Sequence, residues 1–158
     1  MDPEAKKRVL RAFTYGLYVV GCRNGDDINA FTANWCTQVS FDPPLIALSV
    51  QKDGHSIDLI RASGIFTLAV LPSGSRELAG LLGKPWKRVP DKIFQVEHFY
   101  ADNGCPVPAN ALGYIECKVL SEADAGDSVV FIAEVVNARW LRDGQPLTMA
   151  ETGFRHAG

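Results

Sequence analysis

Phe31-Thr32-Ala33-Asn34-Trp35-Cys36-Thr37-Gln38-Val39-Ser40-Phe41 alternates strictly. Positions 31, 33, 35, 37, 39 and 41 are Phe, Ala, Trp, Thr, Val and Phe; those between are Thr, Asn, Cys, Gln and Ser. A two-residue period predicts one long strand, with a bulky apolar face and a face of short polar side chains. Asp42-Pro43-Pro44 ends it, because proline donates no ladder hydrogen bond. Leu45 to Gln51 follows as a continuous apolar run, the pattern of a buried strand.

On the N-terminal side, Asp2-Pro3-Glu4 starts a helix expected to reach about Phe13. Leu17 to Cys22 reads as a strand, and Asn24-Gly25 as a hairpin turn. On the C-terminal side, Lys52-Asp53-Gly54-His55-Ser56 turns into a helix over Ile57 to Ser63, closed by Gly64. Ile65 to Leu71 is a strand, and Arg76 to Leu82 a short helix closed by Gly83. Further strands are expected at Ile93 to Phe99, and at Leu112 to Leu120 and Ser128 to Val136 around a turn from Glu122 to Asp127. A last hairpin is expected over Ala138 to Leu141 and Pro146 to Met149. Seven or more strands with a few short helices predict a mainly β domain, a barrel or a sandwich. The strand–GxGxxG–helix, GxSxG, P-loop and HExxH patterns are absent.

Composition narrows the function classes. A length of 158 residues predicts a single domain over 1–158. An apolar content of 47% and a net charge of −2 exclude disorder and a nucleic-acid binder driven by bulk charge. Leu45 to Val50 and Ile65 to Leu71, the longest apolar stretches, are too short to span a membrane as helices. Lys6, Lys7, Arg8 and Arg11 precede an apolar run that stops at Arg23, too short for a secretory leader, so the expected location is the cytoplasm. Cys22, Cys36, Cys105 and Cys117 form no CxxC pair, and His55, His98 and His156 are not paired with them. No metal site is expected, and the cysteines read as buried free thiols.

Two stretches are candidates for chemistry. The polar face from Thr32 to Ser40 is either the solvated side of a half-buried sheet or a platform for a flat ligand. On such a platform the short side chains leave backbone N–H and C=O groups within reach of a ring's hydrogen-bonding edge. The turn from Gln51 to Ser56 is either a plain capped helix start or an anion site. Lys52 and His55 would add positive charge there and Ser56 a hydroxyl. The basic loop of Lys84, Lys87 and Arg88 is either solvated surface or a second source of charge for a phosphate.

Together these stretches resemble the flavin reductase-like domain family. Phe31 to Leu45 is similar to its T-x-N-x-x-T-x-V-S-x-x-P-P strand, and Lys52 to Ser56 to its K-x-x-S turn. Ser63-Gly64-Ile65-Phe66, Leu112 to Cys117, Gly126-Asp127 to Glu134-Val135, and Pro146-Leu147 with Gly153-Phe154-Arg155 follow in the family's order. The resemblance implies an FMN-binding split β-barrel that forms a homodimer and reduces FMN with NADH or NADPH. Reduced flavin would pass to a monooxygenase or another acceptor; the alternative is an FMN electron carrier of the flavoredoxin kind, not reduced by NAD(P)H. It implies flavin contacts at Thr32, Ala33, Asn34, Trp35, Cys36 and Thr37, and phosphate contacts at Gln51, Lys52, His55, Ser56 and Lys84. No catalytic side chain is implied, because the hydride chemistry belongs to the flavin. The family's histidine after Gly-Asp is Ser128 here, and Ala133 stands where the family has glycine. Ser128 is therefore the expected nicotinamide position, with Arg155 and His156 as substitutes for the missing histidine.

Overall fold

The computed structural model describes residues 1–158. Seven strands form one sheet: β1 (Tyr18–Asn24), β2 (Asp27–Ala33), β3 (Cys36–Ser40), β4 (Leu45–Gln51), β5 (Ile65–Val70), β8 (Gly113–Ala125) and β9 (Ser128–Trp140). A separate ribbon pairs β6 (His98–Tyr100) with β7 (Pro106–Pro108). The helices are α1 (Pro3–Arg11), α2 (His55–Ser63), α3 (Arg76–Leu82) and α4 (Met149–Thr152), with a 3₁₀ turn at Lys92–Gln95.

The sheet order is β2-β1-β5-β8-β9-β4-β3, with every neighbouring pair antiparallel. This order forces closure. β2 and β3 lie at opposite ends of the sheet, yet only Asn34 and Trp35 separate them in sequence. Laid flat, six strand spacings put those ends about 29 Å apart. Three peptide steps reach only about 11 Å. The sheet must therefore curl until its edges meet. The Ser49 N–H donates to the Trp35 carbonyl at 3.0 Å, which carries the β3–β4 pairing one residue further, up to that seam. The expected mainly β barrel is what forms.

The hydrophobic core has two parts. One lies inside the barrel and includes Val20, Leu48, Phe66, Val129 and Phe131, with Ile57, Leu59 and Ile60 of α2 packed into it. The other lies outside the β1–β5 wall, under α3 and the 3₁₀ turn, and includes Leu17, Val19, Leu71, Leu82 and Ile93. Val19 faces one core and Val20 the other, which explains the unbroken apolar run in β1. The ribbon crosses so close to β1 that a Cβ on Gly21 would sit 2.0 Å from the Pro106 carbonyl oxygen.

Several local expectations are corrected. The eleven-residue strand is two strands, because the chain leaves one end of the sheet at Ala33 and enters the other at Cys36. Its apolar parity is not buried throughout: Val39 is 51% and Phe41 91% exposed. Residues 93–99 are not one strand but the end of the 3₁₀ turn followed by the start of β6. β8 runs through Glu122 to Ala125, and the turn is the pair Gly126-Asp127, with Gly126 at φ +70°. The last hairpin does not form, since β9 continues through Trp140 and residues 149–152 are α4. α2 begins at His55, so Gly54 occupies the cap position and Ser56 lies inside the first turn.

Candidate functional site

A cleft of about 480 Å³ opens where the β2–β3 junction, the start of α2, the end of α3 and the loop after it converge. This lies within the size range of small-molecule and cofactor sites.

α2 supplies one wall. Gly54 has no side chain to cap the helix, and no side chain elsewhere caps it. Its first N–H groups are left without a partner within the helix and point outward, the arrangement that favours an anion. His55 is held at the lip. Its Nε2 lies 2.8 and 3.0 Å from the two Asp27 carboxylate oxygens, and its ring stacks on Trp86 at 4.0 Å. Ser56 is buried, and its hydroxyl accepts from Asn29 Nδ2 at 2.7 Å. Asn29 Oδ1 is itself buried and has no partner.

The loop supplies the facing wall: Gly83, Lys84, Pro85 and Trp86. It hangs from Lys92, a 3% exposed lysine whose Nζ donates to the carbonyls of Leu82 at 2.6 Å and Lys84 at 2.8 Å. Burial pushes the Lys92 ammonium down to about 8, against a smaller opposing pull from Cys22. Thr32 donates its hydroxyl to the Ala79 carbonyl at 2.6 Å, tying α3 to β2. Asn34 Nδ2 donates to the His156 carbonyl at 2.8 Å, and the His156 ring lies 5.5 Å from that of Trp35.

Of the expected site residues, Thr32, Ala33, Asn34, Trp35, Gln51, His55, Ser56, Lys84 and His156 line this cleft together. Five lie elsewhere. Cys36 and Thr37 have passed the seam and pair with Leu48 and Ala47 in β3–β4. Lys52 turns away to an ion pair with Asp124 at the end of the β8–β9 hairpin. Ser128 is buried beside the turn, donating to Asp127 at 3.0 Å. Arg155 borders a different groove, between the end of α1 and the C-terminal residues. Lys87 and Arg88 also lie off the cleft.

Sequence reasoning missed Asn29, Trp86 and Lys92. Asn29 carried a signal, since it is a polar side chain on the same parity as Phe31 and Ala33. Lys92 had none, being one of several basic residues in a loop.

The closed antiparallel barrel, with an uncapped helix start opening on a cofactor-sized cleft at its seam, defines a small-ligand-binding β-barrel. A family model described as a flavin reductase like domain matches residues 10–158, and the chain belongs to that family. An NADH-dependent flavin reductase from a Rhodococcus species is 29% identical over 162 residues, covering 98% of this chain and 89% of that one. The NADH:FAD oxidoreductase of Streptomyces globisporus C-1027 superposes with a TM-score of 0.85 at 26% identity, covering 96% and 90% of the two chains. A high molecular weight rubredoxin of Moorella thermoacetica is 34% identical over 148 residues. The chain spans 63% of that protein, and 24% of a diflavin flavoprotein from Synechocystis.

Proposed function

We propose that this barrel is an NAD(P)H-dependent flavin reductase that takes FMN, works as a homodimer and hands reduced flavin to a partner oxygenase or another acceptor. The convergence of an uncapped helix start with the β2–β3 junction across one cleft carries this reading. A flavin bound there accepts a hydride from the nicotinamide nucleotide.

The residues present fit such a ligand. The α2 N–H groups and Lys84 suit a phosphate. The backbone at Ala33 to Trp35 offers the ring system a platform at the seam. His55, clamped between Asp27 and Trp86, closes the helix end of the cleft. That closure suits a terminal monophosphate better than the longer diphosphate linkage of FAD. His156 is the one expected nicotinamide residue that lines the cleft, so it is assigned to the donor's approach. The outward residues Leu45 and Ala47 of β4 and Val130 and Ile132 of β9 are apolar and only half-buried, which supports the dimer.

The test is an absorbance spectrum of FMN-loaded protein under anaerobic conditions, followed by NADH or NADPH. Bleaching of the flavin by either nucleotide is expected. Bound flavin that neither nucleotide bleaches establishes the electron-carrier alternative, which the loss of the family histidine at Ser128 favours. No flavin bound at all defeats both.

A further inference from the structure

Residues 155–158 bring His156 to the cleft without a helix or strand of their own. Two hydrogen bonds hold them. Asn34 Nδ2, at the seam of the barrel, donates to the His156 carbonyl at 2.8 Å, and Arg11 Nε, at the end of α1, donates to the Ala157 carbonyl at 3.2 Å. Neither bond uses the imidazole, whose ring is tilted 40° to that of Trp35 with the centroids 5.5 Å apart. A Cβ on Gly158 would lie 3.1 Å from the Lys7 carbonyl oxygen, so the segment runs on against α1. α1 buries none of its own residues and adds nothing to the core. Its last turn is nonetheless fixed to the barrel. The Tyr15 hydroxyl donates to the Leu10 carbonyl at 2.8 Å, and the Tyr15 carbonyl accepts from the Met149 N–H at 3.1 Å. Arg11 is the next residue after Leu10, and it makes no ion pair.

We infer that Arg11 is a positioning residue for flavin reduction: by clamping the Ala157 carbonyl it holds the His156 ring at the cleft beside Trp35, where the nicotinamide nucleotide approaches. The inference rests on the reading above that assigns His156 to that approach. One anchor is not enough. Asn34 fixes a single carbonyl, and a segment tied at one point can still swing about it. The second bond comes one residue further on, from the α1 side, and removes that freedom. A ring displaced by about 1 Å loses much of what orientation contributes to a rate. Arginine suits the task, because its guanidinium is always charged and its bond to a carbonyl is charge-assisted. Arg11 itself stays outside the ligand cleft. It borders the groove on the other side of the segment, with Arg155 and Ala157, so its effect on the reaction passes through His156.

The test is anaerobic rapid mixing of FMN-loaded protein with NADH or NADPH, together with FMN affinity by titration. Arg11→Met keeps an unbranched side chain and removes the donor. It should lower the second-order rate constant for flavin reduction ~5- to 10-fold and leave FMN affinity unchanged. Arg11→Lys keeps a charged donor and should recover most of that rate. His156→Ala removes the ring and keeps the carbonyl that Asn34 holds; it should slow reduction at least as much as Arg11→Met. The double variant Arg11→Met/His156→Ala should be no slower than His156→Ala, because the clamp has nothing left to position. Losses that instead multiply in the double variant mean that Arg11 acts on the nucleotide by its own charge, and they overturn the inference. Weaker FMN binding in Arg11→Met makes α1 a mere support for the cleft and overturns it too. So does wild-type reduction by either Arg11→Met or His156→Ala, or an Arg11→Lys protein no faster than Arg11→Met. If neither nucleotide bleaches the flavin of the wild type, the reductase reading falls and takes this inference with it. A wild type that is bleached, with variants that miss the predicted pattern, overturns the inference alone.

Discussion

At the scale of single residues, Lys92 and the four cysteines set opposite pH trends. Burial lowers Lys92 to about 8 from an ordinary 10.5. Between those values the unfolded chain holds a proton that the folded chain has released, so stability rises with pH across that window. Burial raises Cys22, Cys36 and Cys117 to about 12 and Cys105 to about 11, against 9. Above pH 9 the folded chain keeps protons that the unfolded chain loses, and stability falls. The Lys92 contribution is isolated by comparing wild type with Lys92→Met by urea denaturation from pH 7 to 10. The variant leaves the Leu82 and Lys84 carbonyls unpaired, at about 1–3 kcal/mol each. The wild type should gain on the variant by on the order of 2 kcal/mol as pH rises past 8. A difference that stays flat over this range refutes the lowered Lys92 and means that the folded chain holds its proton as firmly as the unfolded one. The buried thiols of Cys22, Cys105 and Cys117 were legible in the chain, with Cys36 only half-buried, but Lys92 was not: in sequence it is one basic residue in a Pro-punctuated loop, and only the fold shows that it is buried under α3.

At the scale of elements, the start of α2 was legible and its details were not. The turn and helix were predicted within two residues, because Gly54 and Gly64 punctuate both ends. The direction of each side chain was not. Lys52 belongs to the last turn before the helix, but β4 hands it to the β8–β9 hairpin and Asp124. The long strand failed for a related reason: alternation continues across Asn34-Trp35 although the ladder changes sheet ends there. If the α2 N–H groups bind phosphate, their share can be isolated at His55, the first helical residue. Proline is tolerated at that position and lacks an N–H. His55→Ala removes the imidazole alone, whereas His55→Pro removes the imidazole and one N–H. The preference for FMN over riboflavin should be ~5- to 10-fold smaller in His55→Pro than in His55→Ala, with riboflavin affinity equal in the two. Equal FMN preference in both variants would place the phosphate away from the helix.

At the scale of the whole molecule, the barrel hides only one face of three adjacent strands. Ile46, Leu48 and Val50 of β4, and Val129, Phe131 and Ala133 of β9, point into the core. The alternate residues Leu45, Ala47, Val130 and Ile132 face outward and are only half-buried, and the exposed Val39, at the irregularity in β3, and Phe41, just beyond that strand, lie at its end. Such a face accounts for Leu45 and Ala47 being apolar on the parity that the core does not use, if a second copy covers them. Ser49 belongs to this outer parity and also lines the cleft, so a second copy seated on the face would border the ligand. The expected species in solution is a dimer of about 34 kDa, twice the 17.2 kDa chain. A charge placed at the centre of the face should split it. Ile132→Lys sits opposite Ala47 and points away from the core, so the barrel itself should keep its circular dichroism spectrum. Desolvating an unpaired lysine in a dimer interface is expensive enough to drive dissociation at micromolar concentration. Light scattering should then report a species of about 17 kDa, and FMN affinity should fall ~10-fold or more as the cleft loses its neighbour. A monomeric Ile132→Lys protein that binds FMN as tightly as wild type would show that each barrel carries a complete site. A variant that stays dimeric would move the interface elsewhere, with the exposed ribbon around Tyr100 and Phe94 as the next apolar surface to test.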